Sequence, residues 1–279
     1  MERREGMFST ETPRSRGAAA WQIAELIYHN TVRTIRKGHR HALMALAMTV
    51  LQTLIMLAAF YLMFSLFGMR SMALRGDFIV YLLSGIFVFM INIKTVGAVA
   101  GAEGPTSAMM LHAPMNTAIA IFSAALASLY TQILSVILIL LAYDLAFGRV
   151  DIDDPIGTLG VMILAWANGV AVGMVLLALK PWFPNLTSIL STVYKRMNMF
   201  FSGKMFVANQ LGFTMFYMFA WNPLFHIIDQ ARGYAFLNYT PMKTSLSYPI
   251  WVSFTLFTIG LLGEWYTRQH ASVSWGKAR

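Results

Sequence analysis

Long apolar runs alternate with short polar breaks along this chain, and their lengths match a bilayer. A helix crosses the hydrocarbon with ~20 mostly apolar residues at a rise of about 1.5 Å each. Six runs qualify, at 43–67, 78–100, 117–142, 157–179, 186–208 and 248–266. The fifth carries Lys195, Arg196 and Lys204 within TVYKRMNMFFSGKMF and is followed by GFTMFYMFAW at 212–221, which is too short to cross. A re-entrant segment before the last helix is therefore expected, its irregular backbone buried in protein or lining a wet cavity. Ahead of the first run, Trp21, Ala24, Tyr28, Val32 and Ile35 form one helical stripe, and Arg33, Arg36, Lys37 and Arg40 form another. This two-faced pattern predicts an amphipathic helix over 17–41 lying in the membrane interface. Four units follow: a loose tail at 1–16, the interface helix at 17–41, a six-helix transmembrane unit at 42–268 and a short tail at 269–279.

Composition agrees with that pattern. With 57% apolar and 12% charged residues, the chain is too greasy for a soluble domain, and the expected class is an all-α integral membrane protein. The start of the chain lacks the apolar core of a cleaved signal peptide. Eight Lys and Arg residues precede position 42, and Arg268, Lys277 and Arg279 follow the last run, so both ends are expected on the cytoplasmic side. Six crossings satisfy that parity and place the loop with Asp144, Asp151, Asp153 and Asp154 outside. The net charge of +9 lies mostly beside the membrane, where anionic headgroups are the simpler partner than nucleic acid. Lys94 is expected to snorkel to the inner headgroups.

Reactive groups are sparse. The six histidines, at 29, 39, 41, 112, 226 and 270, form no HExxH pair, and there is no cysteine. FFSGK resembles the end of a phosphate-binding loop, but Asn198 replaces its first Gly and Met205 its Ser or Thr. Every Asp and Glu falls in a loop, a tail or a span end, whereas gradient-driven carriers place carboxylates deep in the membrane. Uphill transport would then draw on a separate ATPase.

Several segments in order carry a family resemblance. FIVYLLSG, LHAPMNTAIAIFSAAL, WFPNLTSIL and WNPLFHIIDQARG together resemble the permease subunit of type-2 ABC exporters for capsular polysaccharide, with O-antigen and teichoic acid permeases as near neighbours. The likeness spans about residues 78–266, and its most specific piece is Trp221–Asn222–Pro223–Leu224 followed by His226, Asp229 and Arg232. A Leu-Trp and a Pro usual near the start of the family's first span are missing from HALMALAMTVLQ.

The resemblance implies an exporter permease in the bacterial inner membrane that moves an acidic or lipid-linked polysaccharide. It binds no cofactor itself; ATP and Mg belong to two copies of a partner ATP-binding subunit. It also implies a homodimer, with lipids, the glycan and periplasmic export proteins as further partners. Met109, Met110, Leu111, His112 and Pro114 would form the coupling element toward the ATPase. Tyr194, Lys195, Arg196, Phe200, Phe201 and Lys204 would line the substrate path, rings stacking on sugars and cations meeting anionic groups. On a continuous helix Lys204 would stand about 13 Å beyond Lys195, giving a ladder of charge. The alternative leaves Lys195 and Arg196 as interface anchors. Asn222, Pro223, His226, Asp229 and Arg232 would form an exit-side helix on which Asp229 and Arg232 could pair. Two other functions stay open: export of small lipids or drugs, and an integral membrane enzyme for lipid-linked sugars that uses Asp151, Asp153 and Asp154 with a divalent metal.

Overall fold

A computed structural model describes residues 16–37, 42–67, 77–104, 116–148 and 150–270. All regular structure among them is helical: α1 (Arg16–Lys37), α2 (Ala42–Leu66), α3 (Phe78–Ala100), α4 (Thr117–Phe147), α5 (Pro155–Leu179), α6 (Pro184–Phe201), α7 (Phe213–Ala220), α8 (Pro223–Ala235) and α9 (Ser247–His270), with a single 3-10 turn at Ala208–Gln210. Polar side chains set several of the starts. Asp77, Asn116, Asp154 and Asn222 each accept a hydrogen bond from a backbone amide two or three residues on, opening α3, α4, α5 and α8. Pro155 and Pro223 occupy first-turn positions, where a missing amide costs nothing.

Four helices, α2 to α5, are long and apolar enough to cross a membrane, which makes this a membrane protein by length and composition. The fifth and sixth apolar runs differ from expectation. The helix expected to continue to 208 stops at Phe201 after 18 residues, and an irregular stretch with Gly203 at a φ of 72° follows it. α9 has 24 residues, about 36 Å of helix, but polar groups such as Glu264 and Arg268 dilute it. Neither shares the apolar character of α2 to α5. The interface-helix reading of 17–41 extends past Lys37, and residues 38–41 lie outside those described.

The equally apolar spans take different places in the bundle. In the most apolar stretch of each span, 72% of α3 and 67% of α5 is buried, against 39% of α4 and 17% of α2, so α3 and α5 form the centre. Small residues let them approach: a Cβ on Gly169 would lie 2.8 Å from the Asn92 carbonyl oxygen, and one on Gly173 would lie 2.7 Å from the Val99 side chain. Gly260 does the same for α9 against Met174 of α5. α8 packs on both α3 and α5, and α1 lies along α4. There the Ile27 carbonyl accepts a bond from Ser123 Oγ at 3.2 Å, about 9 Å along α4 from its first residue. Trp21 and Tyr28 of α1 remain 73% and 65% exposed, leaving that part of the aromatic stripe uncovered by protein.

Candidate functional site

A hydrogen-bonded chain of neutral polar side chains ties α6 to the bundle. The Tyr194 hydroxyl donates to Asn92 Oδ1 at 3.0 Å. Asn92 Nδ2 donates to the Ala165 carbonyl and to Asn168 Oδ1, both at 3.0 Å, and Asn168 Nδ2 donates to Ser253 Oγ at 2.9 Å. Four helices, α3, α5, α6 and α9, are thereby joined through Asn92 and Asn168, which are fully buried. An amide in an apolar interior is costly unless bonded, so this pairing fixes the lateral positions of the helices. The sequence reading passed over both asparagines. Their signal was present, since each interrupts an otherwise apolar run, and intramembrane polar residues mark internal contacts or function.

The six residues expected to line one path divide by environment. Tyr194 points inward to Asn92, and Phe201 packs on the rings of Phe219 and Trp221. Lys195 is half-buried, its amine 3.4 Å from where a Cβ on Gly97 would stand, while Arg196 and Phe200 are exposed. Lys204 is not the upper rung of a helical ladder. Because α6 ends at Phe201, the chain turns at Gly203 and carries Lys204 back into protein, where it is 2% exposed. Its amine donates to the Met199 carbonyl in the last turn of α6 and stands 3.8 Å from the Phe89 ring centre and 5.4 Å from that of Phe60. The negative end of a helix and two ring faces supply the stabilisation that water would otherwise give.

The residues expected on an exit-side helix occupy α8, whose core positions are closed to solvent. Asn222 caps the helix start and also donates to Asn198 Oδ1 and the Phe201 carbonyl, at 3.0 and 2.9 Å. Pro223 begins the helix. Asp229 and Arg232 do not pair. Asp229 accepts from the Ala208 amide, the Tyr239 hydroxyl and the Thr244 hydroxyl at 3.1, 2.6 and 2.7 Å. Arg232, fully buried, donates to the carbonyls of Gly203, Phe206 and Lys204 at 3.1, 2.6 and 2.6 Å, and its guanidinium lies 4.4 Å from the Tyr81 ring centre. The physical reason is local: the irregular stretch after α6 leaves carbonyls without helical partners, and a planar fork of donors satisfies several at once. Gly85 makes room, as a Cβ there would sit 2.8 Å from the guanidinium. His226 is held neutral: Nε2–H donates to the Ala220 carbonyl at 2.9 Å, Nδ1 accepts from the Ser245 amide at 3.3 Å, and burial lowers its pKa below the usual histidine value.

The Lys94 amine donates to Gln52 Oε1 on α2. The coupling residues Met109, Met110, Leu111, His112 and Pro114 lie outside the described residues. Near the α4–α5 connection, Asp77, Tyr143, Phe147, Asp151, Asp153 and Asn238 help line a cavity of about 470 Å³. Asp154 is spent on capping α5, and Asp144 accepts from the Val150 amide. Among the described residues no three His, Cys, Asp or Glu side chains gather closely enough to hold a metal ion.

A scan of the chain against protein-family models finds no match, and a search of curated proteins finds none either.

Proposed function

We propose that this chain is the membrane-spanning subunit of an ATP-driven exporter that moves an acidic or lipid-linked polysaccharide across the bacterial inner membrane. In this reading α2 to α5, the segment 186–208 and α9 make six crossings, with the short run at 212–221 entering and leaving on one side and both termini in the cytoplasm. Two copies form the passage, and two copies of an ATP-binding subunit drive it.

The observation that carries the reading is the outward face of α6, with the half-buried Lys195 at its edge. Lys195 and Arg196 have no ion pair and no hydrogen bond to any other described residue, and the Phe200 ring beside them is 66% exposed. Nearby, Lys204 and Arg232 bond to backbone carbonyls within the chain. Lys195 and Arg196 have no such partner and are free for something outside the chain, and ring faces with fixed positive charge suit an anionic glycan. The ordered segments that resemble polysaccharide permeases support the same cargo, and α8, built from the most specific of them, braces the stretch following α6.

Co-expression with the ATP-hydrolysing subunit encoded beside it tests the proposal. The expected result is a stable complex of two plus two chains that requires ATP for glycan export. A chain that never associates with such a subunit, or that moves glycan alone, contradicts it.

A further inference from the structure

Lys94 and Lys195 come from different helices and approach the same strip of α3. Lys94 belongs to α3 itself, and the Lys195 side chain crosses from α6 to lie against Gly97, three residues further along, its Nζ 3.4 Å and Cε 3.8 Å from the position of a Cβ there. The two amines are within electrostatic reach of each other. Gln52 of α2 accepts one hydrogen bond from Lys94 and leaves two ammonium hydrogens available, while Lys195 bonds no described residue.

The surroundings shape these amines into a groove. α2 and α6 both lie along α3, and at one end they are bridged where Lys204, following α6, meets Phe60 of α2 and Phe89 of α3. From that closed end the floor runs down α3 to Lys94 and Gly97. One wall, α2, is largely unburied, and the other presents Arg196 and Phe200 outward. Among the described residues no carboxylate bonds either lysine; the ion pair between His29 and Glu25 is on α1. Two like charges near one another beside apolar helices are stabilised by a counter-anion from outside the chain. A carboxylate offers two acceptor oxygens, whereas a phosphate group offers more and spans two separated amines more readily.

We propose that the groove between α2 and α6, floored by Lys94 and Gly97 of α3, binds the phosphate headgroup of an anionic lipid. Gln52 orients Lys94, Gly97 leaves space for Lys195, and the uncovered apolar face of α2 receives the acyl chains. The site rests on the exporter reading only for its place beside the transport route.

Equilibrium binding to the purified full chain in neutral detergent tests it, with short-chain phosphatidylglycerol as the lipid probe, phosphatidylcholine of equal chain length as the control and inorganic phosphate as the soluble arm. Phosphatidylglycerol affinity should fall about tenfold in Lys195→Gln, the change expected for one charge-assisted bond, and be retained in Lys195→Arg. Phosphatidylcholine should bind equally to all three proteins. Lys94→Gln should weaken phosphatidylglycerol similarly; if loss of the Gln52 bond prevents its folding, Lys195→Gln still decides, since its amine bonds no described residue. Competition by phosphatidylglycerol but not by inorganic phosphate supports a lipid occupant, whereas equal occupation by both would overturn the lipid assignment. Unchanged phosphatidylglycerol affinity in a correctly folded Lys195→Gln overturns the site. The assay contains no ATPase, so its failure is separate from any failure to form an export complex.

Discussion

Two groups of cations stand within one stretch of sequence and have opposite relations to the fold. Lys204 and Arg232 are buried, and each is tied to backbone carbonyls and an aromatic face. Lys195 and Arg196, about one and a half turns before the end of α6, bond to no other described residue. The difference follows from the backbone. Where α6 ends and the chain becomes irregular, unpaired carbonyls demand donors, and cations that meet them become structural. Along regular helix the carbonyls are already paired, so a cation there must find its partner elsewhere.

The strongest way to break this comparison is Arg232→Met. It leaves the carbonyls of Lys204 and Phe206 without the Arg232 donor and takes one of two donors from Gly203, and the expected loss is about 3 kcal/mol or more of stability, seen as failure to accumulate or a large fall in Tm. Lys204→Met should cost less, about 1–2 kcal/mol, because the new side chain keeps contact with Phe89 while one carbonyl loses its bond. A Tm equal to wild type in both variants would mean that these cations do not hold the turn.

Smaller still is the effect of His226. Its folded pKa is lowered, chiefly by burial, so the folded chain prefers the neutral ring. Its stabilisation is complete above the unfolded value of about 6.5 and declines as pH falls below that, because the unfolded chain takes up the proton more readily. Thermal unfolding followed from about pH 7.5 to about pH 5.5 should show a falling Tm whose slope is shallower in His226→Gln. An identical slope in both proteins would assign the pH response to other groups.

The sequence made some of this legible and hid the rest for physical reasons. Apolar run length located α2 to α5, since spanning demands length above all. It could not say that α3 is central and α2 peripheral, because lipid and protein interior are alike to a leucine; the small residues at 169, 173 and 260 carry that information instead. The two-faced pattern of α1 was readable, and Asn222–Pro223 was identified as a special run, here the cap and first turn of α8. The end of α6 was hidden, as FFSGKMF is apolar enough to prolong a helix, and the ladder from Lys195 to Lys204 was built on that continuity. Asp229 and Arg232 have a spacing that suits an ion pair, but each is claimed by a distant backbone segment that local spacing cannot reveal. The bond from Lys94 to Gln52 was hidden as well, because Gln52 lies on another helix.

The central claim, that the free cations of α6 serve cargo and not the fold, is tested most directly by replacing Lys195 and Arg196 together with alanine in the assembled complex. Stability should stay within about 0.5 kcal/mol of wild type, as for surface positions without partners, and the subunits should still associate. Export of an acidic glycan, measured at the cell surface under equal expression, should fall severalfold. Full export by a stable double variant would contradict the claim, leaving Lys195 to the lipid site alone and Arg196 as an interface anchor.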